Sequence, residues 1–175
     1  MSLRLADPAA TDALGHLLAQ TQPPSAVVHL HGDLGAGKSS LARAWLRALG
    51  VRGAIRSPTY TLVEHYAYAD TRLATGGRAM HLDLYRIGDP GELEFLALDD
   101  PATALWLVEW PERGGAALPG ADLRIDLAVE GEGRRAALVP GTPTGQSWLA
   151  RISENPVYRA LLTSPGRNMR QVPDP

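Results

Sequence analysis

Hydrophobic and polar positions alternate along this chain with two periods, and each change of period marks an element. After Asp7-Pro8, apolar side chains recur at helical spacing at Ala10, Leu14, Leu17 and Leu18. Asp7 stands at an N-cap and Pro8 at the first helical position, where a missing N–H is harmless. A Pro-rich connection, Thr21 to Ser25, leads into Val27-Val28-His29-Leu30-His31, a short apolar run that reads as a buried strand. Leu41, Ala42, Trp45, Leu46 and Leu49 again follow the helical period, and Gly50 is a C-terminal stop. Tyr60 to Tyr66 is β-branched and aromatic, hence a strand. Asp70 to Gly77 is a polar loop, and Ala79 to Tyr85 is a second strand that pairs with the first as a hairpin. Asp89-Pro90-Gly91-Glu92 combines an N-cap, a Pro at N1 and a capping-box Glu, and predicts a short helix through Leu98.

The nearly all-apolar Ala104 to Val108 predicts a strand covered on both faces. Asp122 to Val129 alternates strictly, Glu130 to Gly133 is a turn, and Arg134 to Val139 returns as the second strand of another hairpin. From Pro140 the chain is punctuated by Pro and Gly, with two short helical pieces near Trp148 and Tyr158. There is no internal repeat. The pattern is α/β, with one domain over residues 1–139 followed by a C-terminal extension over 140–175 that is expected to be partly disordered.

Between the Val27–His31 strand and the helix that follows lies Gly32-Asp33-Leu34-Gly35-Ala36-Gly37-Lys38-Ser39, a gapless G-x-x-x-x-G-K-[ST]. Strand, Gly-rich loop and helix together are the context such a phosphate-binding loop requires. The glycines let successive N–H groups turn toward an anion, and the helix N-terminus adds partial positive charge. Ser39 offers a hydroxyl to Mg²⁺. Lys38 is the only lysine, against sixteen arginines. A point-like ammonium on a flexible stem reaches between β and γ phosphates, where a planar guanidinium does not fit.

Composition narrows the picture. A length of 175 residues suits one domain with a sizeable core. The formal charge of −2 leaves no bulk nucleic-acid footprint, and zero cysteines exclude disulfides, disulfide-linked partners and cysteine metal sites. No signal-like or membrane-length apolar segment is present, so a cytoplasmic protein without a membrane partner is expected.

A phosphate-binding loop alone binds phosphate; hydrolysis also needs a carboxylate for Mg²⁺ and a group that orients water. Asp83 shares a strand face with His81 and Tyr85, and Glu109 directly follows an apolar strand, at the carboxyl end where α/β sheets place ligands. Asp89 and Glu92 serve as helix caps. Asp33 reads as a solvated loop position, and His29 and His31 read as core histidines. His81 is the one histidine to weigh as a site neighbour. Arg56, Arg86 and Arg113 are candidate arginine fingers, although none stands at a fixed motif position.

Four blocks, in order, resemble the TsaE (YjeE) family of bacterial P-loop ATPases. They are the loop itself, Ser57-Pro58-Thr59-Tyr60-Thr61-Leu62-Val63-Glu64, His81-Leu82-Asp83-Leu84-Tyr85-Arg86 continuing to Leu93, and Val108-Glu109-Trp110-Pro111-Glu112-Arg113. The resemblance runs from Asp7 to Val139. It implies a P-loop NTPase-type three-layer sandwich with a mixed sheet, and a slow ATPase acting on a TsaD–TsaB-type complex in threonylcarbamoyladenosine modification of tRNA, with tRNA involved only indirectly. It implies that the nucleotide is held by Asp33, Leu34, Gly35, Ala36, Gly37, Lys38, Ser39 and Ser40. Ser39 and Glu109 would hold Mg²⁺ beside the active-site carboxylate Asp83, itself a candidate metal ligand, and Lys38, Asp83 and Glu109 would be the catalytic set. Thr59 and Thr61 would lie on a switch-like segment, Trp110 beside the nucleotide, and Glu112 and Arg134 near it. Ser39 departs from the family's usual Thr, but either hydroxyl ligates Mg²⁺.

Other functions are weighed on the same residues. A small-molecule or nucleotide kinase needs a lid and clustered arginines, and the segment after Glu109 is short for a lid. A GTPase needs Asn-Lys-x-Asp, which a single lysine at position 38 forbids. A nucleotide-binding scaffold with negligible hydrolysis stays open, because positioning a water is a matter of geometry.

Overall fold

A computed structural model describes residues 1–70, 76–96 and 98–163. The strands are β1 (Ser2–Leu5), β2 (Ala26–His31), β3 (Val63–Tyr68), β4 (Gly77–Asp83), β5 (Thr103–Glu109), β6 (Leu123–Glu130) and β7 (Gly133–Pro140). The helices are α1 (Pro8–Thr21), α2 (Lys38–Ala48), α3 (Pro143–Glu154) and α4 (Pro156–Thr163). All seven strands form one sheet in the order β1-β7-β6-β2-β5-β4-β3. β6, β2, β5 and β4 run parallel, while β7, β1 and β3 are antiparallel to their neighbours, so the sheet is mixed and both expected hairpins are present.

Local chemistry explains the helix starts. The Asp7 carboxylate accepts the Ala10 N–H at 2.8 Å and Pro8 opens α1. The two helices behind the sheet approach closely at Gly15, where a Cβ would lie 2.7 Å from the Ala44 Cβ and 2.8 Å from the Trp45 nitrogen. Leu14, Leu17 and Leu18 of α1 and Leu41, Trp45 and Leu46 of α2 are fully buried against Val28, Leu30, Leu105, Leu107 and Ile125 of the sheet. The opposite face carries a smaller cluster, Met80, Leu82, Leu84, Ile87, Leu93 and Val108, under short 3-10 segments. The alternation along β4 and β5 therefore sends His81, Asp83 and Glu109 toward α2.

Four details differ from the sequence reading. Ser2–Leu5, too short to signal by pattern, is an edge strand whose Leu3 and Leu5 are buried and whose partner is β7. β3 starts at Val63 rather than Tyr60, because the Leu62 N–H donates to the Pro58 carbonyl at 2.7 Å and Leu62 takes a φ of 64°, closing a tight turn. β4 stops at Asp83, because the chain then turns, the Ile87 N–H donating to the Leu84 carbonyl at 3.0 Å. The helix expected through Leu98 is a 3-10 segment, Pro90–Leu96. It nevertheless starts as anticipated, since the Glu92 carboxylate accepts the N–H groups of Gly88 and Asp89 at 2.9 Å each.

The helical pieces anticipated near Trp148 and Tyr158 are α3 and α4. The Trp148 ring packs edge-on against Trp45 at 5.6 Å between centroids. Most of the loop at 70–77 and all of residues 164–175 lie outside the described residues. None of the described helices is long and apolar enough to cross a membrane.

Candidate functional site

The carboxyl ends of β2, β4 and β5 converge on the N-terminus of α2 and enclose a cleft of about 270 Å³. One wall is the loop from Gly32 to Ser39. Gly37 takes a φ of 107°, and a Cβ there would meet the Arg134 Nε at 2.9 Å, so only glycine fits. Arg134, from β7, braces the loop by donating to the Ala36 carbonyl at 2.9 Å.

Lys38 forms the floor. Only 4% of it is exposed, and its ammonium donates to the carbonyls of Gly32 at 2.6 Å and Asp33 at 3.0 Å. It also lies 3.9 Å from the centre of the Trp110 ring. Burial pushes its pKa below the ordinary value, against the opposing pull of Glu109, Asp83, Glu112 and Asp33. Trp110 itself has a φ of 57°, unusual for a bulky residue, and packs on Tyr85 at 5.0 Å.

Two carboxylates face this floor. Asp83 and Glu109 are register partners on adjacent parallel strands, and both are buried. Glu109 accepts the Ser39 hydroxyl on one oxygen at 2.8 Å and meets the His81 Nε2 with the other, also at 2.8 Å. Asp83 accepts the Thr59 hydroxyl at 2.9 Å and the Tyr85 N–H at 3.1 Å, and Ser57 bonds Thr59 at 3.0 Å. The turn from Pro58 to Leu62 is thus tied to the end of β4 through side chains.

Of the residues singled out in the sequence, the cleft gathers Leu34, Gly35, Gly37, Lys38, Ser39 and Ser40 from the loop and helix. Thr59, Asp83, Glu109, Trp110 and Arg134 face them from other elements. Asp33 contributes its carbonyl, and the Ala36 side chain is buried in the core. Like Asp33 and Ala36, two further residues are not in the cleft wall. Thr61 donates to the Glu64 carboxylate at 2.9 Å, and Glu112 pairs with the His31 Nδ1 at 3.4 Å. Arg56, Arg86 and Arg113 are also absent from the wall, and Arg86 stacks over the exposed Tyr60 ring at 4.3 Å.

Three lining residues had no part in the sequence reading of the site: Arg43, Ser57 and Tyr85. Arg43 is one turn beyond Ser39 on α2, so helical spacing from the motif was the available signal. Chemically, a helix N-terminus, inward N–H groups and a buried ammonium suit a multiply charged anion, while the hydroxyl and carboxylate pair suits a hard cation beside it.

A family model described as threonylcarbamoyl adenosine biosynthesis protein TsaE matches residues 5–137. The chain belongs to the TsaE family. A tRNA threonylcarbamoyladenosine biosynthesis protein TsaE from Haemophilus influenzae is 40% identical over 129 residues, covering 73% of this chain and 78% of that protein. The protein of the same name from Streptomyces coelicolor is 37% identical over 139 residues, covering 77% of this chain and 91% of the relative. The crystal structure of Bacillus subtilis YdiB superposes with a TM-score of 0.69 at 22% identity, covering 88% of this chain and 94% of that one, and so shares the α/β fold. The span matched to the TsaE family contains every residue that lines the cleft, whereas α3 and α4 lie beyond it.

Proposed function

We propose that this chain binds ATP with Mg²⁺, hydrolyses it slowly, and through that cycle supports threonylcarbamoyl modification of the tRNA adenosine next to the anticodon. The observation that supports this best is the Ser39–Glu109 hydrogen bond at 2.8 Å, set directly beside the loop whose floor is Lys38. The Lys38 ammonium, now on the Gly32 and Asp33 carbonyls, would be the group to meet phosphate oxygens. Ser39 and Glu109 would hold the cation, with Asp83 a further candidate ligand. Bound Mg²⁺ neutralises charge on the phosphates as it develops. Among the described residues no group of three or more His, Asp or Glu side chains is placed to hold a metal ion. That suits Mg²⁺, which keeps waters and phosphate oxygens and takes only one or two carboxylates.

Arg56, Arg86 and Arg113 do not line the cleft, while Arg43 and Arg134 do, Arg134 being tied to the Ala36 and Gly35 carbonyls of the loop. No arginine stands at a fixed finger position in the motif blocks, and a finger supplied by a partner is worth several orders of magnitude in turnover, so we read the isolated chain as a slow hydrolase that partners accelerate. The partner is a TsaD–TsaB-type complex, tRNA is engaged through that complex, and the role is a cytoplasmic one.

The test is ATP turnover by the purified chain alone and with the TsaD and TsaB proteins of the same organism, with GTP as control. Slow, ATP-selective turnover that rises with the partners is the expected result. Indifference to the partners, with phosphate transferred to an added metabolite, would replace this reading by a kinase.

A further inference from the structure

The nucleotide reading leaves His81 without a role, although it is fully buried and touches the site. It is 0% exposed, its Nε2 lies 2.8 Å from Glu109 Oε1, and its Nδ1 is buried with no hydrogen-bond partner. A carboxylate only accepts, so the Nε2 is the protonated nitrogen in this contact. The unpartnered Nδ1 costs stability that an apolar residue between Met80 and Leu82 would not.

The partition of Glu109's two oxygens shows what the histidine does. Oε2 takes the Ser39 hydroxyl at 2.8 Å and Oε1 takes His81. The Glu109 side chain is only 2% exposed, so solvent cannot supply a substitute donor. Without His81, one oxygen of a buried carboxylate is left unsatisfied and the carboxyl plane is free to turn about its last torsion. The parallel register fixes the arrangement. Asp83 is opposite Glu109, and His81 precedes Asp83 by two residues on the same face of the sheet.

We propose that His81 is a positioning residue that locks the Glu109 carboxylate plane, so that the oxygen beside Ser39 stays aimed at the cation. This rests on the Mg²⁺–nucleotide reading of the site. Outer partners that orient a metal ligand are typically worth 10–100-fold in metal affinity.

The test compares ADP affinity by titration calorimetry in excess MgCl₂ and in EDTA for the full chain and for His81→Leu, His81→Asn and His81→Gln, with thermal melts alongside. The Gln amide nitrogen falls near the place of Nε2 and keeps the donor; the Asn amide nitrogen falls near Nδ1 and does not. Expected are unchanged affinities in EDTA, a loss of about tenfold or more of the Mg²⁺-dependent gain in His81→Leu and His81→Asn, and a gain within about threefold of wild type in His81→Gln. In a Glu109→Gln background, His81→Asn should cost no further Mg²⁺ dependence.

If His81→Leu does not fold, the Asn and Gln pair decides. Equal Mg²⁺ gains in all variants overturn the proposal, as does an equal loss in His81→Gln and His81→Asn, or a matching fall of the EDTA affinities. If the wild-type chain binds ADP equally well with and without Mg²⁺, the metal reading of the site fails first and this proposal falls with it.

Discussion

Two regions bury polar groups in opposite ways. Behind the sheet, Trp45 donates to Gln22 Oε1 at 2.7 Å, Trp148 donates to Thr21 Oγ1 at 3.0 Å, and that hydroxyl donates to the Leu17 carbonyl at 2.7 Å. These side-chain partners are uncharged, and Thr21, Trp45 and Trp148 sit in helices. At the cleft, the buried groups are Lys38, Asp83 and Glu109, the backbone is strained at Trp110 and Leu62, and the ammonium is satisfied by carbonyls of its own loop. The first region is closed and complete. The second holds charges whose present partners are ones a ligand can displace. Strain and buried charge belong where binding repays them, and neutral one-to-one bonds belong where nothing moves.

The strongest way to break this comparison is from the core side. Trp148→Ala should lower stability by about 3–5 kcal/mol, seen as a large fall in melting temperature, while ADP affinity of the folded protein stays within about twofold. A parallel loss of affinity would show that α3 props the loop through the Trp45 contact and that the two regions are coupled. From the cleft side, Lys38→Ala should weaken nucleotide binding by about 100-fold or more, since charge-assisted bonds to phosphate contribute on the order of 3 kcal/mol. Its melting temperature should move far less than that of Trp148→Ala. Wild-type affinity in a titration would remove Lys38 from the site.

Glu109→Ala sharpens the contrast within the cleft. Mg²⁺-dependent hydrolysis should drop by about 100-fold, with some Mg²⁺-free nucleotide binding retained. Wild-type turnover would mean that Glu109 holds no metal. The smallest effect concerns His29 and His31 at the end of β2. Burial lowers both pKa values from the ordinary 6.5; at His29 the neighbouring His31 adds to the effect and the Pro119 backbone and Glu112 oppose it, and at His31 Arg124 and Lys38 add to it and Glu112 and Asp126 oppose it. The unfolded chain then binds more protons just below pH 6.5, so stability falls as the pH drops through that value toward the lowered pKa values. Denaturant titrations across this range should show a shallower pH slope in His29→Gln, and an unchanged slope would assign the dependence to carboxylates.

Much of the architecture was readable in the chain because it is written in local pattern. The α1 cap, the β2–loop–α2 unit and both hairpins follow from periodicity and turn residues within a few positions of each other. What escaped has physical causes. Ser2–Leu5 has two inward positions, too few for a period, and it becomes a strand only because β7 offers an open edge. The early end of β4 comes from a turn after Asp83, closed by the Ile87 N–H on the Leu84 carbonyl, which the alternating pattern through Tyr85 does not mark. At the site, the gapless loop motif and the two carboxylates were visible as residues, and they line one cleft. Thr61 and Glu112 sit in the same motif blocks but face Glu64 and His31 instead, because neighbours in a turn need not share a direction.

By itself, then, the order of residues determined the loop, its single lysine, most of the element types and the candidate carboxylates, since these depend on spacing along the backbone. Tertiary structure alone decided that Ser39 meets Glu109, that His81 occupies the other carboxylate oxygen, that Arg134 braces the loop, and that Trp148 joins the core beside Trp45. Each of those contacts joins residues 28 to 103 positions apart. They are set by strand order and register, which only the assembled sheet defines.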